Sequence, residues 1–230
     1  MWPLYKKPKL ITVTLSPGYM SLSLMQITKQ IEIQAYQKID LKNLEFENSI
    51  LFNFTKIAHI IKTFLNTHNL KNATMAVSLV GPHIREKSIT VATASPSKDM
   101  LKIDNIKNMQ WKHTYIGPSL QNGFDFYVCG IKRELLFQCN LLAIKSGTKL
   151  SAITTPKVAH IQLYKHLKGE LFSQTKLAID LSKNYEVLPL LLSEAEKKIT
   201  PGPDLSIDLK KEIPALSTHI GLFLLGKNYE

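Results

Sequence analysis

The chain has 230 residues, 44% of them hydrophobic and 20% charged, with 29 Lys+Arg against 18 Asp+Glu. That length and apolar fraction suffice for one or two cores without disulfides or metals, and they exclude wholesale disorder, collagen-like repeats and disulfide-stapled designs. The net charge of +11 invites a nucleic-acid or anionic-membrane partner, yet only Arg85 and Arg133 are arginine, so the planar fork that grips phosphate is nearly absent.

Residues 10 to 36 read as three strands. Ile11, Val13 and Leu15 alternate with threonines, Pro17-Gly18 supplies a turn, Met20, Leu22 and Leu24 alternate with serines, and Ile31, Ile33 and Ala35 repeat the period of two. From Ser49 to His68 the period lengthens: Ile50, Phe54, Ile57, Ile61 and Phe64 predict one face of a long amphipathic helix capped by Asn48 or Ser49. Ala73, Met75, Val77 and Leu79 form another strand ended by Gly81-Pro82, and Ser88 to Ala94 a further extended piece. Pro96 to Asn108 is polar, with helix only in short turns. Trp111, His113 and Tyr115 alternate, Gly117-Pro118 and Asn122-Gly123 punctuate, and Phe124, Phe126 and Val128 make a strand. A second helix spans Lys132 to Ser146 with Leu135, Leu136, Cys139, Leu142 and Ala143 inward and Gly147 as C-cap. A short strand, Leu150 to Thr154, precedes a helix from Pro156 to Leu167. Further on, Leu177 to Leu181 suits a strand, Leu188 to Leu192 is an apolar run, and Pro214 to Leu225 reads as a helix buried nearly all round. This rhythm argues for a mixed α/β or α+β fold.

Chemistry-bearing patterns are sparse. Cys129 and Cys139, ten apart without a CxxC pair, read as small buried apolar residues. His160 and His166 fall on nearly opposite sides of a helix and do not form a metal-binding i, i+4 pair. No glycine-rich phosphate loop and no GxSxG elbow exists, and nothing nominates a catalytic acid–base pair. The triplets at Asn53 and Asn72 that match the glycosylation pattern carry no weight without an export signal. The longest nearly apolar stretch, Ile213 to Gly226, is ~14 residues, short of the ~20 of a bilayer-crossing helix. Lys6, Lys7 and Lys9 precede a segment interrupted by Thr12, Thr14, Ser16 and Pro17 rather than an unbroken apolar core, so a cytoplasmic location is expected. Of the excess charge, +10 lies before Pro156. A solvated lysine-rich surface explains it, with acidic headgroups or an acidic partner as the second reading.

In sequence the segments resemble the PilM family of type IV pilus assembly, in the FtsA-related branch of the actin-like ATPase fold. The resemblance rests on the β-meander and long helix, Ala73-Thr74-Met75-Ala76-Val77-Ser78-Leu79, Trp111 to Tyr115, Asp125 to Arg133 and Leu150 to Pro156. It closes on Pro214-Ala215-Leu216 with Gly221 to Gly226, about two-thirds of the chain in all. It implies an actin-like, ribonuclease H-like subdomain formed by 1–72 and 157–230, with an inserted strand-helix-strand-strand α+β subdomain at 73–156. The second nucleotide-binding lobe is expected to be largely missing, with Leu177 to Leu181 and Asp180 as its remnant.

In that family the first hairpin carries an acidic residue and a Gly-Ser-rich turn for Mg²⁺ and nucleotide phosphates. Here the phosphate-loop equivalent is Thr14, Ser16 and Gly18, and Thr14 stands where the acid is sought. A hydroxyl does not balance Mg²⁺–phosphate charge as a carboxylate does, and Pro17 removes an amide donor. The resemblance therefore implies no cofactor, no catalytic or metal-binding residue, and no enzyme activity. The implied function is a cytoplasmic scaffold, peripheral to the inner membrane, of a type IV pilus or type II secretion-like complex. Its implied partner is the cytoplasmic tail of a membrane-anchored protein like PilN, held in the cleft beside the insertion, with an anionic membrane surface nearby. Two alternatives stay open: an actin-like protein that still binds ATP and Mg²⁺, and a basic nucleic-acid-binding module that stacks bases on Trp111, Tyr115, Phe124, Phe126 and Tyr127.

Overall fold

The computed structural model describes residues 9–41, 46–47, 50–51, 53–103, 106–168, 198–203, 205 and 209–227. The expected strand Leu177–Leu181 with Asp180, the run Leu188–Leu192, and the caps Asn48 and Ser49 lie outside them. In chain order the elements are β1 (Leu10–Ser16), β2 (Tyr19–Ile27), β3 (Ile31–Asp40), β4 (Phe46–Glu47), β5 (Ile50–Leu51) and α1 (Phe54–Thr67). There follow β6 (Thr74–Leu79), β7 (Ile84–Val91), β8 (Met109–Ser119), β9 (Gly123–Lys132), α2 (Arg133–Ser146), β10 (Lys149–Thr154), α3 (Pro156–Lys168), β11 (Ile199–Pro201) and α4 (Leu209–Gly226).

The meander forms as its alternation predicts. Ser16 pairs with Tyr19 across a two-residue turn in which Gly18 takes φ +82°, the value that the third position of a type II turn demands and a side chain disfavours. A six-stranded sheet runs β10-β6-β1-β2-β3-β11, with β1, β6 and β10 parallel, β1-β2-β3 antiparallel and β11 parallel to β3. Period two then assigns the faces. Ile11, Val13 and Leu15 join one core with Leu22, Leu24 and the inner sides of α1 and α2, while Leu10, Met25, Ile31 and Ile33 join a second core with α3 and α4. The sheet is thus covered on both sides. On α1 alone Ile57, Ile61, Phe64 and Leu65 are buried, and at ~1.5–3 kcal/mol per large side chain they offset the ordering cost that an isolated helix of this length fails to meet.

Three sequence expectations are corrected. Helix α1 begins at Phe54 and not at Ser49: Ile50 and Leu51 pair with β4 in a short hairpin, and Asn53 adopts φ +56°, a left-handed conformation that stops the helical pattern from extending backwards. Gly117-Pro118 does not end a strand. β8 passes through it with a bulge between Tyr115 and Gly117, which an edge strand tolerates because proline's missing N–H need not face a neighbour. Helix α4 begins at Leu209, ahead of Pro214.

The expected inserted unit 73–156 differs from the sheet topology. β6 and β10 hydrogen-bond inside the six-stranded sheet, so the separate three-stranded sheet, ordered β7-β9-β8, is confined to 84–132, and among the described residues between β7 and β8 there is no helix. Pairing partners far apart in sequence decide this, and alternation within one strand does not reveal its neighbour. As expected, the helix from α4's end of the chain returns to the first meander: Leu216, Ile220, Leu222, Phe223 and Leu224 are buried with residues of β1, β2 and β3.

Candidate functional site

Two places merit chemical reading. The first is the carboxyl end of the parallel strands, where open α/β sheets hold their ligands. There Thr14 of β1 stands between Ser21 of β2 and Ser78 of β6, and Ser78 is beside Thr154 of β10. The row is neutral. The side chains of Thr14 and Ser16 are buried, and the hydroxyls of Thr14 and Ser78 have no hydrogen-bond partner among the described residues. Gly18 sits apart from them in the turn, where its carbonyl accepts a bond from the Leu41 amide and an added Cβ meets nothing within 4 Å.

Beside this row α4 presents Ser217, Thr218 and His219, the residues that interrupt the apolar stretch in the sequence. Nδ1 of His219 lies 2.8 Å from Thr12 Oγ1 and Nε2 lies 2.8 Å from Ser21 Oγ, so the imidazole bridges β1 and β2. His160 of α3 bonds Ser217 Oγ at 3.0 Å and Thr218 Oγ1 at 3.1 Å. Burial lowers both imidazoles, His219 to about 3 and His160 to about 4. They are neutral crosslinks of the core, not proton donors at neutral pH. His166 lies elsewhere on α3, its carbonyl accepting a bond from Lys198 Nζ. Cys129 and Cys139 are buried and unpaired with each other, and burial pushes both thiols up to about 12, which removes the thiolate that nucleophilic chemistry requires.

The second place is a cleft of about 670 Å³ between the two sheets. Its walls are β8, an edge strand of the small sheet, and β10, an edge strand of the large one. Gln110, Lys112 and Thr114 alternate along β8 and line the cleft with Ile131 and Cys129 of β9, which Gln110 and Lys112 oppose in register. His113 of β8, Ser151 to Thr154 of β10, Leu136 of α2, Val158 and Gln162 of α3 and Leu225 of α4 complete the lining. The other face of the small sheet is a minor core: Trp111, Tyr115 and Phe124 pack with Phe126, Val128 and Leu101. Gly130 permits this packing, since a Cβ there would sit 2.7 Å from the Trp111 ring. The aromatic residues considered for base stacking are thereby engaged, with Phe126 and Tyr127 buried.

Lys165 of α3, one turn from the cleft residue Gln162 in the helix, reaches across to β8. Its Nζ donates to the Tyr115 carbonyl at 2.7 Å and stands 5.5 Å from the centre of that ring. What the cleft offers a ligand is mostly apolar surface, Lys112 and His113, and two edge strands. Such an arrangement suits an extended peptide, which satisfies edge amides and carbonyls while alternate side chains enter the cavity.

No protein-family model and no curated protein matches the sequence. Among solved structures the chain is similar to one from a PilM–PilN type IV pilus biogenesis complex, with a TM-score of 0.64, 11% identity, and coverage of 94% of this chain and 98% of that one. The cytoplasmic domain of EpsL, an inner membrane component of the type II secretion system of Vibrio cholerae, is similar with a TM-score of 0.42 at 12% identity, over 66% of this chain and 57% of that one. A Bacteroides thetaiotaomicron protein with an actin-like ATPase fold is similar with a TM-score of 0.38 at 9% identity, over 70% and 58%. At these identities the likeness speaks to the fold alone, a mixed α/β fold that the chain shares with the chain of the PilM–PilN complex.

The family resemblance drawn from the sequence implies Mg²⁺ and nucleotide phosphates at the first hairpin. The described residues there do not fit that group. The row Thr14, Ser78 and Thr154 contains no carboxylate to balance a divalent cation, and Thr14 and Ser16 are enclosed. Among the described residues there is also no cluster of three His, Cys, Asp or Glu side chains able to hold a metal, and no helix long and apolar enough to cross a membrane. The cleft residues were invisible to motif reading because they come from β8, β9, β10 and three helices at no fixed spacing. The one local signal was the polar alternation Gln110, Lys112, Thr114, out of phase with the aromatic alternation of Trp111 and Tyr115.

Proposed function

We propose that the protein is a non-catalytic scaffold of an inner-membrane assembly of the type IV pilus or type II secretion kind, acting in the cytoplasm. It binds the cytoplasmic tail of a membrane-anchored partner, similar to PilN, as an extended segment in the cleft between β8 and β10. The observation that carries this reading is the cleft of about 670 Å³ walled by two edge strands and lined mainly by apolar groups. Likeness of fold to a chain of the PilM–PilN complex supports the choice of partner class. Lysine-rich charge before Pro156 favours a tail of acidic or neutral character, met by Lys112 at the cleft. The reading of Thr14, Ser16 and Gly18 as a degenerate phosphate loop belongs to this proposal, and so does the loss of Mg²⁺–ATP binding.

The test is fluorescence polarisation of labelled cytoplasmic tails from membrane proteins encoded beside this one, titrated with the full chain. Saturable binding that Ile153→Arg, a charge placed in the cleft lining, weakens at least about tenfold supports the proposal; that factor corresponds to ~1.4 kcal/mol. Absence of binding by every such tail, or tail binding indifferent to Ile153→Arg, overturns it. Saturable Mg²⁺–ATP binding overturns the degenerate-loop part alone.

A further inference from the structure

Helix α2 carries two apolar stripes on opposite sides. One comprises Leu135, Cys139 and Leu142, all buried against α1 and the sheet. The other comprises Phe137, Leu141 and Ile144, spaced i, i+4 and i+7. At 100° per residue these three lie within about 60° of one another and roughly opposite the core stripe. Phe137 is 64% exposed and Ile144 72% exposed, with Leu141 half-buried between them. Two large apolar side chains two turns apart, about 10 Å along the axis, thus stand in solvent on a helix that has already satisfied its core.

On the two helices of this layer the charge is one-sided. Arg133 and Lys145 are exposed on α2, and Lys56 and Lys62 on the neighbouring α1; against them stands only Glu134 in the two helices. Lys145 Nζ lies 4.7 Å from the centre of the Phe54 ring and joins the two helices into one surface. A second copy of this face would bring like charges together. A protein partner would more often be met by arginine than by lysine, because the guanidinium makes planar, bidentate contacts, whereas the ammonium is a compact charge on a flexible stem that reaches diffuse headgroups while its carbons lie along apolar groups.

We infer that the outer face of the α1–α2 layer is a docking surface for an anionic lipid bilayer. Helix α2 lies parallel to the membrane plane, Phe137, Leu141 and Ile144 enter the headgroup–acyl boundary, and Lys56, Lys62, Arg133 and Lys145 meet the acidic headgroups. This contact is separate from the β8–β10 cleft and stands or falls without it.

The experiment is co-sedimentation of the full chain with vesicles of phosphatidylcholine containing phosphatidylglycerol and with vesicles of phosphatidylcholine alone, at low and high salt. The expected result is binding to the anionic vesicles that declines with salt, little binding to the neutral ones, and loss of at least about tenfold in partitioning for the double variant Phe137→Ser, Ile144→Ser. Lys56→Glu with Lys62→Glu should weaken anionic binding as well and keep the same thermal unfolding. No binding to anionic vesicles at low salt overturns the inference, as does binding that the double serine variant leaves unchanged or equal binding to both vesicle types. Concentration-dependent dimers in sedimentation equilibrium, abolished by the double serine variant, overturn it in favour of a second copy as occupant.

Discussion

Acid should unfold this protein through two histidines. His160 and His219 are enclosed in the layer between the sheet and helices α3 and α4, and folding holds them neutral. Burial drives His219 to about 3, opposed by its bond to Thr12, and drives His160 to about 4, assisted by the charge of Lys157. In the unfolded chain a histidine titrates near 6.5, so between these values the unfolded state binds protons that the folded state does not. Stability contributed by each neutral imidazole is therefore complete above about pH 7 and falls as pH drops through about 6.5 toward the folded values. Each group costs about 1.4 kcal/mol per pH unit once pH is well below 6.5, so a move from about pH 7 to about pH 4.5 removes about 5 kcal/mol for the pair, of the order of a small domain's entire stability. Urea unfolding followed by circular dichroism at the two pH values measures this. In His219→Gln, whose amide can bridge Thr12 and Ser21 without titrating, the acid loss should shrink by about 2.5 kcal/mol, one histidine's share. Equal losses in the natural protein and the variant would refute the reasoning.

Three further outcomes are expected. Gly221→Ala places a Cβ 2.0 Å from the Ala159 carbonyl oxygen where α4 crosses α3, and the forced separation should lower stability by about 2–3 kcal/mol in urea unfolding; a variant as stable as the parent would show that the crossing is looser. Lys165→Met removes the bond to the Tyr115 carbonyl while keeping the stem's volume, so tail affinity in the polarisation assay should fall several-fold with thermal unfolding shifted by only a few degrees; unchanged affinity would mean that this lysine does not set the cleft. Cys129 and Cys139, with thiols near 12, should react with a disulfide reagent at about pH 8 far more slowly in the folded protein than in urea; labelling at the free-thiol rate without denaturant would contradict their burial.

Much of the fold was legible because its signals are local. Ile11, Val13 and Leu15 declare a half-apolar strand, Pro17-Gly18 its turn, Gly147 the end of α2, and the periodic Ile57, Ile61 and Phe64 the inner face of α1. Sequence failed where two local readings compete or where the deciding partner is remote. Ile50 and Leu51 fit the helical period, and only the left-handed turn at Asn53 diverts them into a hairpin. Thr74–Leu79 and Lys149–Thr154 alternate as strands should, yet their membership of the large sheet depends on pairing with β1 and with each other across most of the chain. The cleft was illegible for the same reason: it arises where the edges of two sheets approach, and no residue there has a distinctive neighbour in sequence. Thr14 and Ser16 were found by position and are enclosed, whereas Phe137 and Ile144, assigned to no core stripe, are solvent-facing.

The bond between Thr12 and His219 spans 207 positions, and this separation bears on how the protein is made. β1, which leaves the ribosome well before α4, lies in the interior of the sheet between β2 and β6. Its polar side is not closed until α4 has been synthesised. Long-range closure of this kind slows folding, because loop entropy is lost before the contacts are gained. A nascent or truncated chain lacking α4 therefore carries the β1–β2 hydroxyls and the apolar residues beside them uncovered, and its need for chaperone protection should end only when His219 arrives.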